Sequence, residues 1–370
     1  MKIEVLIYAY LAICAAMIGF NIVCIFIFRF RDKRLEQYSS RFIGIVRQSI
    51  EDGTVTDHHC KYLSKKLKKI QHLMAFDKTL EELFAQDAEQ TKAYLTDLLP
   101  VFVYLTLEYK KKNAIQAAYF PYIIKKYQVF QGQPIGIVIE TLLDLVRSPS
   151  LYVRENALQA IYSIGNVEST MQALWILNNS SCYHHPKMIS DGLLNFTGDT
   201  HKLGEQLWAD FSRFSIPMQR VIVDYFRFSS PDHQQQIFAL LTTEGTDDEV
   251  AYSCIRYLGK YPYALAYPIL TDIVEKHRND QWIYTSITAS ALAAYPGDRT
   301  AAILKQLLQN PNWHVRYNAS QSLMALGLYY TDMIDVFEGR DRYAGEIMRY
   351  RLDQKNMKEK EALGIELDRK

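Results

Sequence analysis

Two stretches of this chain repeat each other without a gap at an offset of 162 residues. Ser148-Pro-Ser-Leu-Tyr-Val-Arg-Glu-Asn-Ala-Leu-Gln-Ala-Ile-Tyr-Ser-Ile-Gly165 aligns with Asn310-Pro-Asn-Trp-His-Val-Arg-Tyr-Asn-Ala-Ser-Gln-Ser-Leu-Met-Ala-Leu-Gly327, with seven of 18 positions identical. The proline and small polar residues ahead of Val-Arg read as a turn and a helix start. Val153, Ala157, Ile161 and Ile164 then fall on one helical face, as do Val315, Ala319, Leu323 and Leu326. Gly165 and Gly327 read as helix ends. Weaker copies run from Val250 to Pro262 and from Tyr284 to Pro296, with Tyr-Pro in place of the closing Leu-Gly. Others run from Pro186 to Gly198 and around Gln219 to Phe228. Helix starts near 153, 187, 220, 250, 284 and 315 stand 30 to 34 residues apart. That period holds two short helices and two turns. Such a pair cannot bury its apolar stripe alone, but stacked pairs share a continuous core.

At these residues the chain resembles the HEAT-repeat family. The Pro-x-x-x-Val-Arg-x-Asn-Ala run, closed by Leu-Gly or Ile-Gly, looks like that family's hallmark over roughly residues 135–345. The Trp-Leu-Gly-Tyr pattern of tetratricopeptide repeats is missing. The resemblance implies an all-α fold, a HEAT-like α-solenoid forming a right-handed superhelix of helix pairs. It also implies that Arg154 and Arg316 pack inside the stack, and that the second helices line a concave face. Glu155, Gln159, Tyr252, Arg256, Tyr317 and Gln321 lie on those second helices and are the candidate partner-binding residues. The implied task is a scaffold or adaptor that binds a protein partner. Membrane-anchored bacterial proteins of similar layout often accompany envelope glycosyltransferases, which implies an accessory role in polysaccharide synthesis or export.

The N-terminus points to a bilayer. Val5 to Phe28 carries no charged residue over 24 positions. A helix of that length rises about 36 Å, enough to cross a hydrocarbon core of roughly 30 Å. The run is too long for a signal-peptide core, its positive flank follows it, and no small-residue cleavage site closes it. It is expected to be a retained single span in the cell membrane, with lipid as a partner. Arg29, Arg31, Lys33 and Arg34 follow the span, so the positive-inside rule puts the large C-terminal part in the cytoplasm. Lys65, Lys66, Lys68 and Lys69 make a second basic cluster, and both groups are candidates for the membrane surface. From Arg29 to Ile70 there are 11 basic and 5 acidic residues, so the near-neutral total of +1 hides a basic zone and an acidic remainder. The expected organisation is a short outer terminus (1–4), the span (5–28), a basic juxtamembrane helical segment (29–70), a diverged helical part (71–134), HEAT-like repeats (135–350) and a charged tail (351–370).

Chemistry is harder to find. No P-loop, dinucleotide fingerprint, nucleophile elbow or His-Glu-x-x-His is present. Asp57-His58-His59-Cys60 and Cys182-Tyr183-His184-His185 hold ligand-type side chains, but neighbours on a loop point apart and neither set builds a tetrahedral site. No metal, cofactor, small-molecule substrate or nucleic acid is expected, and no catalysis. The enzyme alternative comes from HEAT-like families acting on bilin chromophores or alkylated DNA bases. Nothing marks a bilin site, and the net negative charge of residues 71–370 opposes a DNA groove. Elemental analysis of the purified chain is expected to find less than stoichiometric zinc; a full equivalent would establish the metal site.

Overall fold

A computed structural model of the chain describes residues 3–277 and 281–362. The described residues form helices and connecting turns, with no strand among them. By internal contacts the chain divides into two compact units, Met1–Tyr183 with Asn195–Lys202, and His184–Leu194 with Leu203–Lys370.

The first unit opens with α1 (Ile3–Glu51), a single uninterrupted helix of 49 residues. Then come α2 (Asp57–Leu67), α3 (Ile70–Gln86), α4 (Ala88–Asp97) and α5 (Leu99–Lys110). α6 (Ala114–Tyr127), α7 (Gly136–Val146), α8 (Leu151–Ile164) and α9 (Val167–Asn178) follow. Side-chain oxygens start several of these helices by accepting an early backbone N–H. Thr56 does so for α2, Asp87 for α4, Asn113 for α6 and Asn166 for α9.

α1 is the one helix among the described residues long and apolar enough to cross a membrane, and none of its apolar window is buried against the rest of the chain. Beyond Leu35 its character changes. Phe42 and Val46 are buried, with the Phe42 ring edge-on to Phe76 of α3 at 5.8 Å. Tyr38 stacks on His72 at 4.5 Å, and Arg47 lies 3.5 Å from Glu82. Residues rise together along both helices in these contacts, so α1 and α3 run parallel.

The second unit holds α10 (Pro186–Leu193), α12 (Ile216–Ser229), α13 (Gln234–Thr242) and α14 (Asp248–Lys260). It also holds α15 (Ala266–His277), α16 (Trp282–Ala291), α17 (Asp298–Leu307), α18 (Trp313–Ala325), α19 (Ile334–Phe337) and α20 (Arg342–Ala362). Between α10 and α12 runs α11 (Thr200–Ala209). The second helices of the sequence repeat are α8, α10, α12, α14, α16 and α18, with first residues 30 to 35 apart. Within the second unit, α10, α12, α14, α16, α18 and α20 each pack on the next, making one continuous row. α13, α15 and α17 pack against the row as hairpin partners of α14, α16 and α18. In the first unit α6 and α8 pack side by side in the same way, with α7 against α8.

The repeated residues have matching jobs. Val153, Ala157, Ile161 and Ile164 are buried, as are Val315, Ala319 and Leu323, while Leu326, expected on the same face, is only half-buried at the helix end. Each large buried aliphatic among them contributes about 1.5–3 kcal/mol by leaving water. Gly165 and Gly327 have φ of 76° and 80° where their helices end, a left-handed turn that favours glycine. The Asn of each copy reaches the preceding helix of the row. Asn156 Nδ2 donates to the Ala118 carbonyl on α6 at 2.9 Å, and Asn318 Nδ2 donates to the Ser286 carbonyl on α16 at 3.0 Å. The Arg of each copy turns back on the loop before its own helix. Arg154 Nη1 donates to the Ser148 and Pro149 carbonyls at 2.9 and 3.0 Å, and its Nη2 donates to Tyr183 O at 2.8 Å. Arg316 Nε donates to the Asn310 carbonyl, the position equivalent to Ser148. Both arginines therefore pack inside the structure.

Arg316 also pairs with Asp341, Nη2 to Oδ2 at 2.9 Å. The Arg316 hydrogen bond holds the Asp341 carboxyl below its ordinary value of 3.8. A carboxyl depressed in the folded state stabilises above its unfolded value, and that gain is lost as pH falls through the lowered value. Asp341→Asn is therefore expected to cost about 1 kcal/mol near neutral pH. Thermal melts of wild type and variant should converge as pH falls through that lowered value. A gap unchanged by acid would show that the pair's charge contributes nothing.

Candidate functional site

On the row of the second unit, α12, α14, α16 and α18 leave an open groove of about 850 Å³. Small residues set its floor. A Cβ on Gly259 of α14 would lie 2.8 Å from both Cα and Cβ of Ala291 on α16, so the two backbones approach there as only glycine allows. Three cations stand around this floor, Arg227 of α12 with Arg256 and Lys260 of α14. Phe228 is 47% exposed and lies beneath two of them, with Arg227 4.5 Å and Lys260 5.0 Å from the ring centre. On the other side Trp282 is 43% exposed and stacks on His314 at 5.3 Å. Ser286 and Ser290 add hydroxyls between the two sides.

The charges are only partly balanced. Asp224 sits 3.5 Å from Arg227 and 3.8 Å from Arg220, which in turn pairs with Glu249 at 2.6 Å. Lys260 donates to the Arg227 carbonyl at 2.9 Å. Burial, reinforced by Arg227 and Arg220, pulls the Arg256 guanidinium below its ordinary value against the attraction of Asp224. One desolvated guanidinium and two further cations beside open aromatic faces suit a ligand that brings negative charge and a flat apolar group.

Buried tyrosines hold neighbouring repeats beneath this surface. The Tyr257 hydroxyl donates to Ser230 O and accepts from His233 N, each at 3.0 Å. The Tyr295 hydroxyl donates to Leu258 O at 3.0 Å and accepts from Tyr263 N at 3.2 Å. Burial raises both phenols, Tyr257 to about 12.

Of the six partner-binding candidates, Arg256 lines the groove. Tyr252 is buried at 8% exposure, its ring edge-on to Tyr284 at 4.7 Å. Tyr317 stacks on Trp313 at 4.8 Å under the Arg351 guanidinium, and Gln321 donates to its hydroxyl. Glu155 and Gln159 belong to the first unit and are half-buried, joined by a 2.9 Å hydrogen bond. Arg227, Phe228, Lys260, Trp282 and His314 were not among the candidates. Their signal was faint: Arg227 and Lys260 occupy the last turns of successive row helices.

The basic residues gather elsewhere, in the first unit. Because α3 runs parallel to α1 from the level of Tyr38, its first turn points toward the apolar half of α1. Lys65 and Lys66 end α2, and Lys68 and Lys69 form the turn into α3. They thus return to the end of the unit that carries Arg29, Arg31, Lys33 and Arg34. Lys68 pairs with Glu108 at 3.4 Å and lies over Tyr104. Lys65 and Lys69 are exposed. The step from Phe28 to Tyr38 spans about 15 Å of helix.

Among the described residues, no group of three or more His, Cys, Asp or Glu is placed to hold a metal ion. His59 meets the Tyr94 hydroxyl at 2.7 Å, and His185 accepts from Lys187 N at the start of α10.

The HEAT repeat family matches residues 302–330, the segment of α17 and α18. That match supports a HEAT-repeat protein and a helical-repeat surface for protein interaction. No curated protein matches the chain.

Gly259→Val is expected to force α14 and α16 apart at the groove floor and to cost about 1–3 kcal/mol. Chemical unfolding of the full chain in detergent measures this. An unchanged midpoint would show that the two helices do not meet at Gly259.

Proposed function

We propose that this protein is a membrane-tethered HEAT-repeat scaffold that works by binding and not by catalysis. The observation that carries the reading is α1. Its apolar first half is uncovered, while the same helix continues into a second half buried against α3. A soluble core helix would be covered along its apolar stretch. The run is too long for a signal-peptide core, and no small-residue cleavage site closes it. The basic residues collected beside the end of the apolar run favour a cytoplasmic body under the positive-inside rule.

On this reading the repeats form an extended α-solenoid of right-handed sense, and the groove between α12 and α18 is the protein-binding surface. The partner is a membrane protein, which the shared bilayer holds at high effective concentration. The layout resembles that of bacterial proteins found beside envelope glycosyltransferases. An accessory role in polysaccharide synthesis or export in a bacterial inner membrane is the corresponding assignment.

Site-specific photo-crosslinkers at Ile283 and Ser290 test the binding surface in native cells. Adducts with a membrane protein are expected from these groove positions and not from Glu275, which lies outside the groove lining. Adducts from Glu275 alone would overturn the assignment. Salt-sensitive retardation of short duplex DNA by the protein would instead favour the enzyme alternative.

A further inference from the structure

The membrane-facing end of the first unit holds a cavity of about 270 Å³ between α1 and α3. Ile27, Phe30, Leu35 and Met74 form its apolar wall. Arg31, Arg34, Tyr38 and Gln71 form the polar side, with Asp32 as the one carboxylate. Ile27 and Phe30 are more than half exposed and continue the uncovered face of the apolar run. Arg31 lies over the Phe28 ring at 6.0 Å. Neither Arg31 nor Arg34 pairs with a carboxylate among the described residues. The surrounding field is positive: after burial itself, Lys66 and Lys69 are what lower the His72 imidazole that stacks on Tyr38.

We propose that this cavity binds the phosphate headgroup of a single anionic phospholipid, with the acyl chains lying along Ile27 and Phe30. The proposal rests on the membrane-tether reading and adds a defined lipid site to it. Two guanidiniums offer forked donors suited to phosphate oxygens. The Tyr38 hydroxyl and the Gln71 amide can complete the set. The space admits several water-sized groups, enough for a phosphate and its glycerol. The apolar wall lets the glycerol and first methylenes leave water without leaving the helix. A diffuse basic surface would need neither the wall nor the enclosure.

A lipid seated there touches α1 and α3 together. It would fix the angle at which the body meets the bilayer, because the α1–α3 contact is where the apolar run passes into the packed unit.

Native mass spectrometry of the full chain in detergent, titrated with phosphatidylglycerol or phosphatidylcholine, tests this directly. One retained phosphatidylglycerol is expected, and no retained phosphatidylcholine. Arg31→Gln with Arg34→Gln is expected to weaken retention about thirtyfold, while Arg29→Gln with Lys33→Gln, which removes the same charge outside the cavity, costs about threefold or less. Met74→Trp, which fills the cavity without changing charge, should also abolish retention. Equal losses from the two charge pairs would mean diffuse attraction only and overturn the site. Displacement of the lipid by soluble glycerol phosphate at equal concentration would assign the site to a free phosphate and overturn it likewise. Carbonate extraction of native membranes separates the two readings. A chain that washes off ends the tether and the lipid site together, whereas an integral chain that retains neither lipid ends the lipid site alone.

Discussion

Each helix of the row has to bury an apolar stripe against the helix before it, and every other feature of the second unit follows from how closely the two can approach. A helix pair of about thirty residues has too little surface to exclude water on its own. The stripe of Val315, Ala319 and Leu323 is buried where α18 packs on α16 and α17. Small residues at the crossing set the distance, as Gly259 and Ala291 do between α14 and α16. Polar bridges then fix the register. Asn318 ties α18 to Ser286, and the Tyr257 and Tyr295 hydroxyls each hold one carbonyl and one N–H of a neighbouring turn. Tyr257 and Tyr295 are buried, so an unpaired hydroxyl on either would cost about 1–3 kcal/mol.

The same close approach opens the groove. Where side chains are small, the row surface dips, and the long side chains around the dip stand as its rim. Arg227, Arg256 and Lys260 reach it from two helices, and Trp282 from a third. A body with a net negative charge thereby presents a local positive site. Net charge is a sum over the whole surface, while recognition depends on which few charges share one concavity.

The N-terminal end of the first unit obeys a similar logic of convergence. Arg29 to Arg34 and Lys65 to Lys69 are separate in the chain, and the parallel course of α1 and α3 returns the second group toward the first. Stacking of Tyr38 on His72 and the Phe42–Phe76 contact set that course. Each basic cluster is visible in the sequence, but the contacts that bring the two to one end are not.

The sequence by itself determined the helical period, the row helices and their buried faces. Helical spacing is a local property, so Val153, Ala157, Ile161 and Ile164 declare one face within a dozen residues. The resemblance implied the packing of Arg154 and Arg316, whereas the bridges made by Asn156 and Asn318 came only from the structure. The apolar run was legible from its lack of charge alone. Tertiary structure decided which polar residues meet. Tyr252 and Arg256 sit one helical turn apart on α14, yet one is buried against Tyr284 and the other lines the groove. That difference comes from the position of α16, a helix some thirty residues further on. No local pattern encodes the crossing of two helices. It is fixed by the packing of small residues such as Gly259 on Ala291, and with it the groove.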